Sequence, residues 1–346
     1  MRNVLTLSLV LGAAALAACG PDEVSSPTNT PRLEPVQESG SLPVLHTARL
    51  VKEHPGVPPT AAQKFQITLR FINPPTADQR EQFETGAARW QALIKGDVEA
   101  TEGEIPANGC GAGIPLPAFN GVIDDIMINV LLQPIDGPGG ILGQAGACFV
   151  RLSDGLPLYG VMFFDTDDLA FLEANSLLDE VIVHEMGHVL GFSGGIWNLN
   201  IPGIFQRTLL ENPNTVDPRF LGKHARAKYR SLGGRLPTIP VEGLPCGAGT
   251  RNSHWDENTF FNELMTGFLN GASANFINPL SPMTSAAMKD LGYKVVPQGE
   301  DYTLQASPNP DPCLPPPAAT ASASSEQGGL DIGAREVIIE PVGIVQ

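Results

Sequence analysis

His184-Glu185-Met186-Gly187-His188-Val189-Leu190-Gly191-Phe192 is the stretch from which the rest of the chain is read. Two histidines four apart share one face of a helix, about one turn from each other, so both imidazoles can reach a single metal ion. A zinc ion held by neutral imidazoles keeps a position open for water, lowers the pKa of that water towards about 7 and needs a nearby carboxylate to take the proton. On a helix, the stretch therefore supplies two metal ligands, His184 and His188, and a general base, Glu185.

The flanking residues predict that helix. Ser176-Leu177-Leu178-Asp179 reads as a capping box at its start, with Asp179 and Glu180 where the helix dipole favours negative charge. Leu178, Ile182, Met186 and Val189 make one apolar stripe, and Leu177, Val181, His184 and His188 a nearly opposite one. One face is expected to pack and the other to carry metal. Gly191 stands where a left-handed C-cap would turn the chain sharply.

Working towards the N-terminus, Phe65 to Phe71 alternates as a half-buried strand, and Thr76 can cap a helix bearing Phe83, Ala87, Trp90 and Ile94 at helical spacing. Trp90 is accordingly assigned to the core. Ile126, Ile128, Val130 and Leu132 alternate along a second strand, and Tyr159 to Phe164 forms a third. Strand, helix, strand, strand and then the histidine-bearing helix imply an α+β fold, a twisted sheet with helices packed on it. The glycine-rich run from Gly137 to Ala147 lacks the GK[ST] of a phosphate loop. It reads either as an edge strand that could bind a peptide by β-augmentation or as a plain surface loop.

Beyond Gly191, Pro, Asn and Gly punctuate an irregular C-terminal subdomain, with helices expected at Phe220 to Leu232 and Thr284 to Leu291. His224, in a basic segment, is read as solvated. From Pro297 onward the composition predicts a loose tail, pinned at Cys313 and with a possible strand at Glu336 to Ile344. The expected organisation is a lipoprotein signal peptide over 1–18, a flexible tether or pro-segment over 19–59, N-terminal and C-terminal catalytic subdomains over 60–192 and 193–300, and a tail rich in Pro, Ala and Ser over 301–346.

The chain has 346 residues and a formal net charge of -16, from 37 acidic against 21 basic residues. That balance argues against a nucleic-acid partner and against electrostatic docking on anionic lipid. Leu16-Ala17-Ala18-Cys19 ends an apolar export signal and looks like a bacterial lipobox, which makes Cys19 the expected lipidation site. Four cysteines remain, an even number that reads as two disulfides in an exported protein. Three pairings are possible; Cys110 with Cys148 and Cys246 with Cys313 keeps each bond within one half of the chain.

Two histidines make a weak zinc site, and the short spacing HExxHxxGxxH would place a third at 194, where the chain has Gly194. His254, in Ser253-His254-Trp255-Asp256-Glu257-Asn258, is the remaining histidine in a rich context, followed by Glu263-Leu264-Met265-Thr266-Gly267. A glycine-turned HExxH helix, a late histidine and a methionine in a tight turn resemble the leishmanolysin family of metzincin metalloproteases, in its bacterial branch. The likeness runs over roughly residues 60 to 300 and includes Asp124-Asp125, Asp136-Gly137, Ala145-Gly146, Phe164-Asp165, Pro279-Leu280-Ser281 and Asp290-Leu291-Gly292-Tyr293.

The resemblance implies a metzincin-like fold, one catalytic zinc ion held by His184, His188 and His254, Glu185 as general base, Met265 as a packing residue under the metal, and protein or peptide substrates. Protozoan members carry a zinc-blocking cysteine in a pro-segment; here the only cysteine before Cys110 is Cys19. The expectation is an exported zinc endopeptidase held by a lipid anchor at the bacterial cell envelope, in the outer membrane or at the cell surface. The alternatives are a catalytically silent surface-binding lipoprotein on the same fold and a non-peptidase zinc hydrolase.

Overall fold

The computed structural model describes residues 64–111, 113–270, 278–296, 298–307, 313 and 330–345. The expected signal peptide, Cys19 and the tether over 19–59 lie outside the described residues.

The sheet begins with β1 (Ile67–Phe71), followed by α1 (Ala77–Leu93). Thr76 opens that helix with a complete capping box: its hydroxyl accepts from the Gln79 amide, and the Gln79 side chain accepts from the Thr76 amide. Then come the strands β2 (Thr101–Ile105), β3 (Phe119–Ile123), β4 (Ile126–Gln133), β5 (Gly143–Arg151) and β6 (Pro157–Asp165). Helices α2 (Thr166–Ala174) and α3 (Leu178–Val189) complete this part of the chain. In the main sheet β1, β4 and β6 lie side by side and parallel, and β5 runs antiparallel to β6.

Parallel strands must be covered on both faces, and both faces of β4 are buried. Ile126, Ile128, Val130 and Leu132 join the core with Phe83, Trp90 and Ile182, while Met127 and Leu131 join a second cluster with Ile105, Phe149 and Tyr159. The β2–β3 hairpin, which the sequence reading did not anticipate, contributes to that second cluster through Ile105 and Ile123. Trp90 is fully buried, and its indole N–H donates to the Val183 carbonyl at 2.8 Å, tying α1 to α3.

Three local readings are corrected. Ser176 does not cap α3, whose N-cap is Leu177 without a side-chain bond. Ser176 instead has φ of 52° and closes α2: its amide donates to Glu173 and that of Leu177 to Leu172, the two bonds of a Schellman turn. Because α2 runs directly into α3, the terminating turn of one helix uses the residue that would have opened the other. The second concerns the two stripes of α3: one packs and the other carries His184 and His188, but the histidine stripe is as buried as the packing one, since residues 181 to 189 are buried all round, with α1 and the sheet on one side and C-terminal loops on the other. Third, the run from Gly137 to Ala147 is neither all strand nor all loop. Asp136 and Gly137 donate their amides to the Asp165 carboxylate at 3.0 Å each, and the strand begins at Gly143.

Past α3 the chain is irregular, with short strand pairs, two four-residue helical turns (Gly194–Trp197 and Glu257–Phe260) and two longer helices, α4 (Lys223–Ser231) and α5 (Pro282–Leu291), which pack on each other. Both disulfides form, Cys110–Cys148 and Cys246–Cys313. The strand expected at Glu336 to Ile344 is present as two short ones: β7 (Glu336–Ile338) and β8 (Gly343–Val345) both lie parallel to β5. Among the described residues no helix is long and apolar enough to cross a membrane.

Candidate metal centre

Helix α3 sets the first two imidazoles. His184 and His188 are fully buried, with their Nε2 atoms 3.0 Å apart. The helix ends in a second Schellman turn at Gly191, where φ is 105°; the Gly191 amide donates to His188 and that of Phe192 to Gly187. This turn also presents the Phe192 carbonyl to His188 Nδ1 at 2.6 Å.

The third imidazole arrives from a loop anchored by its neighbour. Trp255 is buried among Phe192, Trp197 and Phe220, with ring centroids 4.9, 5.7 and 5.3 Å away, and its indole N–H donates to the Thr284 hydroxyl. His254 is thereby held with its Nε2 3.0 Å from that of His184 and 3.1 Å from that of His188. The turn at Glu263–Thr266 fixes the remaining ring: His184 Nδ1 lies 2.7 Å from the Leu264 carbonyl. Glu263, buried beneath it, accepts from the amides of Met265 at 2.6 Å and Ser281 at 3.0 Å and from the Thr284 hydroxyl. Met265 packs under α3, its sulfur and methyl next to Gly187.

All three Nδ1 atoms face backbone carbonyls, that of His254 meeting Thr250 at 2.8 Å. A carbonyl only accepts, so in the neutral ring each Nδ1 carries the proton and each Nε2 turns a lone pair inward. Three lone pairs about 3 Å apart repel one another unless a cation lies among them. A tetrahedral centre with Zn–N bonds of about 2.0–2.1 Å separates neighbouring ligand atoms by roughly 3.4 Å, near the observed spacing. The donor set therefore fits a zinc-type ion.

Glu185 is buried beside this cluster; among the described residues no backbone amide or hydroxyl donates to its carboxylate, whose side-chain neighbour is the Glu336 carboxyl. On the sheet, a Cβ added at Gly143 would stand 3.3 Å from Glu185 Oε1. Burial, followed by the charge of Glu336, raises the Glu185 carboxyl well above the ordinary range. Burial also lowers His188, to about 4. At His254 burial acts downward, but the charge and hydrogen bonding of Glu336 more than offset it and the ring lies above its usual value.

Glu336 is the residue that sequence reasoning missed. It enters from β7, buried, with Oε1 2.8 Å from His254 Nε2 and Oε2 3.4 and 3.5 Å from the Nε2 atoms of His184 and His188. Four groups that could hold an ion thus meet: His184, His188, His254 and Glu336. Its only sequence signal is a lone acid heading the apolar run Val337-Ile338-Ile339. Cys19 lies outside the described residues, and the four remaining cysteines are the disulfide partners.

Residues 95–304 match the leishmanolysin peptidase family, a span that ends before Glu336. Among curated proteins, the chain is 27% identical over 271 residues to leishmanolysin of Leishmania major, covering 72% of this chain and 41% of that protein. It is 30% identical over 155 residues to a leishmanolysin homolog of Crithidia fasciculata, covering 44% and 22%. A ciliated left-right organizer metallopeptidase of Xenopus laevis is 30% identical over 155 residues, covering 41% and 21%. The chain thus spans about two fifths or less of the length of these relatives.

Proposed function

This chain belongs to the leishmanolysin family of peptidases, and from that premise we propose that it is an exported, zinc-dependent endopeptidase. The observation that carries the reading is the convergence of three oriented imidazoles 3.0–3.1 Å apart with a buried carboxylate, Glu185, beside them.

His184, His188 and His254 would hold the ion, and the three Nδ1–H bonds keep their lone pairs aimed at it. A bound zinc ion supplies Lewis acidity, activating water for attack and polarising the scissile carbonyl. Glu185 takes the proton from the attacking water and passes it to the departing amine. Burial raises the Glu185 carboxyl, which makes its carboxylate a stronger base toward the attacking water. Met265 supports the helix from below and is not a ligand. A catalytically silent binding protein would have no chemical use for a carboxylate buried beside the imidazoles, which costs stability.

The two disulfides support export to an oxidising compartment. Anchoring to a bacterial cell envelope through a lipid on Cys19 completes the proposal and is open to radiolabelled palmitate incorporation with a Cys19→Ser control. The catalytic reading is tested by metal analysis and by digestion of a denatured protein. About one zinc per chain is expected, and Glu185→Ala keeps the metal but loses cleavage. Equal cleavage by the Glu185→Ala protein would sink the mechanism.

A further inference from the structure

We propose that residues 330–345 are a built-in plug of the substrate cleft, in which Glu336 takes a fourth place at the metal and displaces the attacking water. The inference rests on the peptidase reading above and extends it to regulation: the chain as folded is latent, and release of the plug opens it.

Without the tail, β5 would be the edge of the sheet beside α3, the natural rail for an extended peptide. The tail occupies that rail along its length. Leu142 donates its amide to Arg335 at 2.6 Å, Ile339 to Ala145 at 2.8 Å, Val342 to Cys148 at 2.9 Å and Leu152 to Val345 at 2.9 Å. Before reaching β5, the tail is bound to the opposite side of the site. Leu330–Asp331 pairs with Phe268–Leu269, and the Ile332 and Gly333 amides donate to the Gly267 carbonyl, two residues past Met265. The segment therefore crosses from the methionine turn to the sheet directly over the imidazoles.

The seat is shaped for it. A Cβ on Gly146 would stand 1.9 Å from the Ile339 carbonyl oxygen, one on Gly249 2.5 Å from that of Glu336, and one on Gly195 1.8 Å from Glu340 Oε2. Three glycines of the body thus give way to three successive parts of the tail. Glu340 adds a second attachment, accepting from the Gly195 amide at 3.3 Å and the Ser193 hydroxyl at 3.5 Å. Because the Glu336 carbonyl faces Gly249, the side chain and not a peptide bond is offered to the imidazoles. The tail thereby blocks the centre without presenting a scissile carbonyl to it.

The test uses the full chain, loaded with cobalt(II), carrying a site-specific protease sequence between residues 314 and 329. It is cut after folding, which leaves the Cys246–Cys313 bond with the body. A Glu336→Gln chain is compared uncut. Three quantities are read: cobalt visible absorption, hydrogen exchange of residues 142–152, and casein cleavage by the zinc-loaded forms. Cutting is expected to shift the cobalt spectrum, as Glu336→Gln does, to speed exchange along β5, and to raise cleavage roughly tenfold or more, the gain for a site open no more than about a tenth of the time. A spectral and exchange change without any casein cleavage would keep the plug and sink the peptidase reading. Unchanged spectra and exchange, with the uncut chain cleaving as fast as the cut one, would overturn the plug and leave the peptidase reading standing.

Discussion

Gly187 and Met265 are in direct contact across the floor of the metal centre: a Cβ added to Gly187 would stand 2.8 Å from both Sδ and Cε of Met265, and 2.9 Å from Trp90 Cζ2. The glycine inside HExxH is thus demanded by packing, although alanine is the better helix former by about 1 kcal/mol. Gly187→Ala should destabilise the metal-free chain by a net of about 1–3 kcal/mol, the usual penalty for overpacking. Urea unfolding after chelation measures it, and a neutral or stabilising effect would contradict the contact.

The second expectation concerns the imidazole that comes from afar. His254→Ala removes one of three imidazoles while Trp255 continues to anchor its loop. Loss of an outer partner typically costs about 10–100-fold in metal affinity, so loss of this ligand should cost more than about 100-fold. Competition with a zinc-responsive chelator dye reads the value. Affinity within about threefold of the parent would remove His254 from the site.

A third concerns the carboxylate under the methionine turn. Glu263 receives two amides and a hydroxyl, and its replacement by alanine strands buried donors that cost about 1–3 kcal/mol each. Glu263→Ala should lose about 3 kcal/mol or more of stability, and metal affinity with it, because the same turn supplies the Leu264 carbonyl to His184. Thermal unfolding with and without zinc separates the two effects.

The pH dependence follows from acids raised by burial. Glu340 and Glu180 are each pushed from an ordinary value of 4.5 up to about 7. A carboxyl raised in the folded state contributes stability that is fully present below its unfolded value and is lost as pH rises through its folded value. The metal-free chain should therefore lose stability between about pH 4.5 and 7, and Glu340→Gln should flatten part of that slope. Denaturant midpoints at pH 5 and pH 8 check it; a rise in stability across that interval would contradict the assignment.

What could be read from the sequence was what local spacing encodes. The His184 and His188 pair, the turn at Gly191, the cap at Thr76 and the core role of Trp90 follow from helical period and turn chemistry, and the structure has each of them. Ser176 was misread because the same residue ends α2, and a one-helix pattern cannot show which of two adjoining helices uses it. The β2–β3 hairpin was hidden because Thr101-Glu102-Gly103-Glu104-Ile105 alternates too weakly to stand out. His254 and Met265 came from family likeness, since nothing in their own spacing links them to α3. Glu336 could not be found at all: its place is set by the register of β7 on β5, a pairing between distant segments that no local pattern records.

Digestion of a peptide library by the tail-released, zinc-loaded chain, followed by mass spectrometry, tests the central claim most directly. Cleavage at internal peptide bonds, abolished by a chelator and restored by zinc, is the expected result. A chain that carries its zinc with the plug removed and leaves every peptide intact would contradict the account.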